Sequence, residues 1–257
     1  MQPYVLASLS LLLAHLLGDF PLQTDSVARN KGKHLLATLA HGAIHYTTAW
    51  LCLTLFAGVS FASLRNQFFV AVYLVLHLAM DIAKSWLITR RTAQDNWILF
   101  VIDQLAHVMT ILVLAAILTS TRVSQVTALF AISDHAKYRF LLTATVYVAV
   151  VFGGGYLIRY LTRSLSHGIR IEGASQLKNA GLYIGWLERF LVITAIAIQS
   201  PAMVGLILTS KSIARFPELK DVGFAEYFLI GSLLSFGLAL LGGMVLVRSF
   251  YGTISLR

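Results

Sequence analysis

Residues 96–119 read "NWILFVIDQLAHVMTILVLAAILT", a mostly apolar run whose interior carries Asp103, Gln104 and His107. A helix needs about 20 such residues to cross the ~30 Å hydrocarbon core of a bilayer, and few soluble folds can bury so continuous a run. Seven segments of this kind are legible, at 3–22, 35–58, 67–88, 96–119, 138–160, 182–209 and 224–248. Only 12% of the 257 residues are charged, about half the share of a soluble domain. The reading is an all-α polytopic transmembrane helix bundle with about seven membrane helices. The long connector at 121–137, partly apolar and suited to the membrane interface, divides a four-helix domain (1–120) from a three-helix domain with basic loops (138–257).

The first segment lacks the basic start and small-residue cleavage site of a signal peptide, so it is expected to remain as a membrane helix. Cys52 is the single cysteine, which excludes an internal disulfide and a cysteine metal cluster. The formal net charge of +9 points to loops facing anionic headgroups. No basic–aromatic motif stands beside that charge, so no nucleic-acid partner is expected. With the N-terminus outside and the C-terminus inside, twelve Lys and Arg face inward and seven outward, the orientation that the excess of basic residues in inward loops favours.

Four successive segments carry polar pairs four residues apart: His15 and Asp19, His41 and His45, His77 and Asp81, and Asp103 and His107. That spacing puts both members on one helix face. Counted from the segment ends at 1.5 Å per residue, His41, Asp81 and Asp103 lie roughly 10 Å below one surface, and His45, His77 and His107 roughly 15 Å. His15 and Asp19 fit just above these layers. Taken singly, Asp19 could merely end a helix beside Pro21, Asp81 could pair with Lys84, and Asp103 could be held by a serine or glutamine. Carboxylates at such depth cost several kcal/mol unless paired or metal-bound, so four pairs at matching depth point to one shared site.

Imidazole and carboxylate without thiolate is ligand chemistry for Zn²⁺, Mn²⁺ or Fe. The expected metal ligands are His15, Asp19, His41, His45, His77, Asp81, Asp103 and His107, holding one or two divalent ions, zinc first. Asp103 and Asp19 are the expected catalytic acid–base groups, and Gln23 and Gln104 could position a substrate oxygen. Lys211, Ser212 and Arg215 share a helical face suited to a phosphate or other anion; the blander reading of this stretch, together with Glu188 and Arg189 in the sixth segment, is an interhelical ion pair and an interfacial basic loop. The chemistry suggests a metal-dependent hydrolase acting on a lipid-linked ester or phosphoester through a metal-activated water. A proton- or ion-coupled transporter using the same residues as a relay is the alternative, and a structural or regulatory membrane subunit is a third. Expected partners are membrane lipids, a lipid-linked or small anionic substrate and, as an option, a second copy of the chain.

The stretches "HLLGDFPLQTD", "HGAIHY", "HLAMD" and "IDQLAH", in this order, resemble the bacterial membrane family known as domain of unknown function 3307, over roughly residues 5–120. "LYIGWLERF", "SKSIARF" and "EYFLIGSLLSF" resemble the C-terminal extension of its longer members. The resemblance implies a membrane fold and no established activity. The His/Asp-bearing helices are also similar in style to bacterial inner-membrane proteins described as metal-dependent hydrolases, an analogy of pattern only.

Overall fold

A computed structural model describes residues 3–120, 136–163 and 180–252. All regular structure among them is helical: α1 (Pro3–Asp19), α2 (Asp25–Asn30), α3 (Leu35–Cys52), α4 (Leu64–Thr89), α5 (Trp97–Thr119), α6 (Ala136–Val148), α7 (Gly154–Thr162), α8 (Ala180–Ala197), α9 (Ala202–Ala214) and α10 (Val222–Tyr251), with π turns at Leu53–Ala57 and Ala149–Gly153 and a 3₁₀ turn at Glu218–Lys220. Most of the 121–137 connector, including its expected interfacial stretch, lies outside the described residues.

Local chemistry sets many of the boundaries. Thr24, Ser63, Asn96 and Asp221 each accept a hydrogen bond from a backbone N–H three residues on, the N-cap arrangement of α2, α4, α5 and α10. Gly58, at φ 66°, closes the π turn that ends α3 in the left-handed conformation glycine adopts most easily. One expectation is corrected here. The apolar segment 182–209 is two helices, α8 and α9, because Gln199 turns the chain at φ 58° and Pro201 stands at the start of α9, where its missing N–H loses no helix bond.

Four helical stretches among the described residues are long and apolar enough to cross a membrane: Leu64–Thr89, Trp97–Thr119, Ala136–Thr162 and Val222–Tyr251. α1 and α9 are apolar but shorter. The burial pattern of α4 explains its surroundings. Its buried residues are Val70, Tyr73, His77 and Asp81, one stripe at helical spacing. Phe68, Val72, Val75 and Leu76 are exposed. A helix that buries its imidazole and carboxylate and exposes its hydrophobes inverts the soluble pattern and suits an apolar solvent. α5 repeats the pattern, burying Asp103 and His107 and exposing Ile102, Leu105, Met109 and Val113.

The chain divides into two compact units, Met1–Val148 and Ala149–Arg257. In the first, α1 packs on α3, α5 and α6, while α4 packs on α3 and α5. Leu11, Leu53, Ile111 and Leu141 are fully buried in its core. The second is built on α8 against α10, with α7 and α9 alongside. Gly243 lets α10 approach α8 so closely that an added Cβ would lie 2.6 Å from the Ile196 Cβ, the use of small residues expected at membrane helix contacts.

Candidate metal centre

The polar stripes of α1, α3, α4 and α5 meet inside the first unit. His15, Asp19, His41, His45, His77, Asp81, Asp103 and His107 are each at most 8% exposed. Each pair spans one helical turn, so each helix offers two side chains at successive levels. The five imidazoles contact one another: the ring centroids of His45 and His77 are 3.9 Å apart, those of His77 and His107 4.4 Å, and His15 stacks on His107 at 5.0 Å.

The atoms facing inward are crowded beyond what hydrogen bonding can serve. His41 Nε2 lies 3.0 Å from Asp81 Oδ2, 3.3 Å from Asp19 Oδ1 and 3.2 Å from His77 Nε2. One ring nitrogen carries at most one proton. His45 Nε2 is 3.4 Å from Asp19 Oδ1 and His77 Nε2 is 3.6 Å from Asp81 Oδ2, yet His45 Nε2 and His107 Nε2 are buried without a well-formed hydrogen bond. The geometry fits ligation instead. Nitrogen and oxygen ligands ~2.0–2.2 Å from one tetrahedral ion stand roughly 3.2–3.6 Å from each other. The His41, His77 and Asp81 atoms form a triangle with edges of 3.2, 3.0 and 3.6 Å, close to one face of such a tetrahedron.

His107 shows how a ligand is held. Its Nδ1 donates to the Asp103 carbonyl at 2.7 Å; a carbonyl can only accept, so Nδ1 carries the proton and Nε2 is the ring nitrogen left for a metal. A second hydrogen bond of this kind orients metal-binding histidines generally. Three groups of ligand atoms could each hold an ion: His15, Asp19, His45 and His77; Asp19, His41, His77 and Asp81; and Asp81, Asp103 and His107. Because they share Asp19, His77 and Asp81, one or two ions fit the donor set.

Two lysines complete the centre, and the sequence pattern left them out because they count there only as loop charge or as a partner within one helix. The Lys31 ammonium, carried inward by the short helix α2, is 3.0 Å from Asp19 Oδ1, 3.4 Å from Asp81 Oδ2 and 3.2 Å from His41 Nε2. Burial alone would lower its pKa, but the Asp19 and Asp81 carboxylates outweigh burial and raise it above the usual lysine value. Lys84 pairs with Asp103 at 2.9 Å, not with Asp81 as spacing along the helix allows. Three carboxylates against two ammonium groups leave one negative charge in the cluster while the imidazoles are neutral, a balance that favours a further cation.

The other expected site residues are placed as follows. Gln104 donates to Asp19 Oδ2 at 3.4 Å and to Asp103 Oδ2 at 3.3 Å, joining the two acids. Gln23 donates to the Asp19 carbonyl at 2.9 Å and ties down the end of α1. Lys211, Ser212 and Arg215 belong to the second unit. There Lys211 pairs with Glu188 at 2.6 Å, Ser212 donates to the Leu208 carbonyl, and Arg215 pairs with Glu218. Arg189 donates to the Val151 carbonyl and to Ser235.

The family described as "Protein of unknown function (DUF3307)" matches residues 8–137, half of the chain and all eight residues of the cluster. The chain belongs to this family. No curated protein and no solved structure matches it. The four polar pairs of this DUF3307 protein thus fall inside the matched region.

Gly18 provides a direct test of the packing. A Cβ there would stand 2.6 Å from His45 Nε2. Gly18→Ala is expected to displace that imidazole, lowering stability by about 1–3 kcal/mol and weakening metal binding at least tenfold, as measured by thermal unfolding and zinc titration. Gly237→Ala, whose methyl group meets open space, serves as the control and should leave both unchanged.

Proposed function

We propose that this protein is a membrane-embedded, metal-dependent hydrolase acting on a lipid-linked ester or phosphoester, with zinc as the first-choice ion. The observation that carries the reading is the His41–His77–Asp81 triangle, whose edges match a coordination polyhedron and which is buried in helices that expose apolar faces. A divalent ion held there supplies Lewis acidity and brings the pKa of a water toward 7.

The chain's own groups supply the rest. His107, fixed by the Asp103 carbonyl, and His41, His45 and His77 present ring nitrogens toward the centre. Asp103 and Asp19 are the proton acceptors: Lys84 holds the Asp103 charge, and Gln104 keeps both carboxylates in register. With a divalent ion held in the centre, the two carboxylate-paired ammonium groups of Lys31 and Lys84, each partly exposed, belong to a cluster of net positive charge that would attract an anionic headgroup. The four apolar helices and the inward excess of Lys and Arg support placement in a bacterial inner membrane, N-terminus outside.

The test is hydrolysis of a phospholipid and acyl-ester panel by purified protein, followed by mass spectrometry. Chelation is expected to abolish turnover and zinc to restore it. Metal-free protein that remains fully active overturns the reading. Proton or ion flux in proteoliposomes without hydrolysis replaces it with the relay, for which the contacting imidazoles are the structural basis.

A further inference from the structure

An apolar groove beside the histidines extends the hydrolase reading, on which this inference rests. α4 and α5 run antiparallel: Lys84 meets Asp103 near one end, and Arg65 donates to the Ile117 carbonyl near the other. Between them lies a groove of about 210 Å³, lined by Phe69, Val72, Tyr73, Met109, Thr110 and Val113 among others. From Met109 to Ile117 it follows α5 for about 12 Å, less than half of a ~30 Å hydrocarbon core.

The inner end of the groove is separated from the cluster by the Tyr73 side chain. The Tyr73 ring forms part of its wall, and that ring's centroid is 6.2 Å from that of His77. Thr110, also in the wall, lies about one turn along α5 from His107 and donates to its backbone carbonyl at 2.8 Å within the helix. Passing along α4 from Lys84 toward Phe69, the environment changes from ammonium, to Asp81 and His77, to an apolar channel. The matching molecule has an anionic head, then the bond to be broken, then a hydrocarbon chain.

We propose that the α4–α5 groove binds one acyl chain of a phospholipid with net negative charge, with its head at Lys31 and Lys84 and its ester linkage level with His77 and His107. The lining is apolar, the flanking faces suit lipid, and the opposite end of the same axis carries the two cations. A chain seated there holds the reacting bond against the ligands, the kind of positioning that raises rate by removing motional freedom.

The experiment places the full chain in phosphatidylcholine nanodiscs with a trace of phosphatidylglycerol carrying a diazirine on its acyl chain. After photolysis, labelled peptides are mapped. Label is expected on Phe69–Leu76 and Met109–Ile117 at least tenfold above the second groove, of about 230 Å³, lined by Tyr4, Leu9, Ile111 and Tyr138. Unlabelled phosphatidylglycerol should compete, and phosphatidylcholine should not.

Val113→Trp should lower the label at least tenfold at unchanged metal content, and Val72→Trp should do the same from the facing helix. Both positions are exposed, at 56% and 39%, so a bulky residue fills the groove without entering the core. Equal labelling of both grooves, or label indifferent to both tryptophans, overturns the proposal. Equal competition by phosphatidylcholine overturns the assignment of the head to the lysines. Failure of the hydrolase reading shows separately, as protein without metal or turnover, and leaves the labelling result to be judged by itself.

Discussion

Asp81→Asn is expected to reduce bound zinc from stoichiometric to under a tenth and to remove hydrolysis with it. The substitution keeps the size and shape of the side chain, so packing is retained while a charged ligand becomes a neutral amide. Asp81 Oδ2 is 3.0 Å from His41 Nε2 and 3.6 Å from His77 Nε2 and belongs to two of the three groups of ligand atoms. Loss of an outer hydrogen-bonding partner alone weakens metal sites ~10–100-fold, so loss of a ligand should exceed about 100-fold.

His77→Ala should have the same effect on metal content by a different route. It removes a fully buried ring that contacts those of His15, His41, His45 and His107, and it also leaves a cavity. Elemental analysis of the two purified variants decides the matter. Wild-type zinc stoichiometry in both would sink the metal centre. Zinc lost only in His77→Ala would assign Asp81 to the outer hydrogen-bonding layer.

Lys31→Met should destabilise the chelated protein by about 3–5 kcal/mol, the usual effect of removing one partner from a buried ion pair. For a unit of this size that lowers the melting temperature by roughly 10 °C. The ammonium sits within 3.4 Å of Asp19, Asp81 and His41, and methionine covers a similar length of chain without charge. Saturating zinc should recover most of the loss, because a divalent ion neutralises the same carboxylates. The pKa of Lys31 is raised by folding, so its contribution is fully present below the ordinary lysine value and is lost only as pH climbs through the higher folded one. A comparison at pH 7 therefore tests the charge itself. Identical melting of chelated wild type and variant, or no recovery with zinc, would rule out a shared cation position.

Much of the centre is legible in one dimension because an α-helix maps spacing onto direction. His15 and Asp19, or His77 and Asp81, must share a face whenever their segment is helical, and apolar runs of membrane length ensure that it is. Matching depth is an expectation from counting along rods; the buried stripes of α4 and α5 show that the pairs share a covered face. The all-helical class and the cluster's eight members were therefore accessible from residue order alone. The break at 199–201 was harder to see, since Pro201 interrupts the apolar pattern without ending it.

Residue order could not decide which side chains from different helices meet, because that depends on rotation and on how loops return. Lys31 stands in a polar connector, and only the turn of α2 carries its ammonium to Asp19 and Asp81. Lys84 could reach Asp81 along its own helix, but packing of α4 on α5 gives it Asp103. The 3.0–3.6 Å ligand triangle has the same origin: spacing supplied the four faces, and close packing of four helices brought them onto one point.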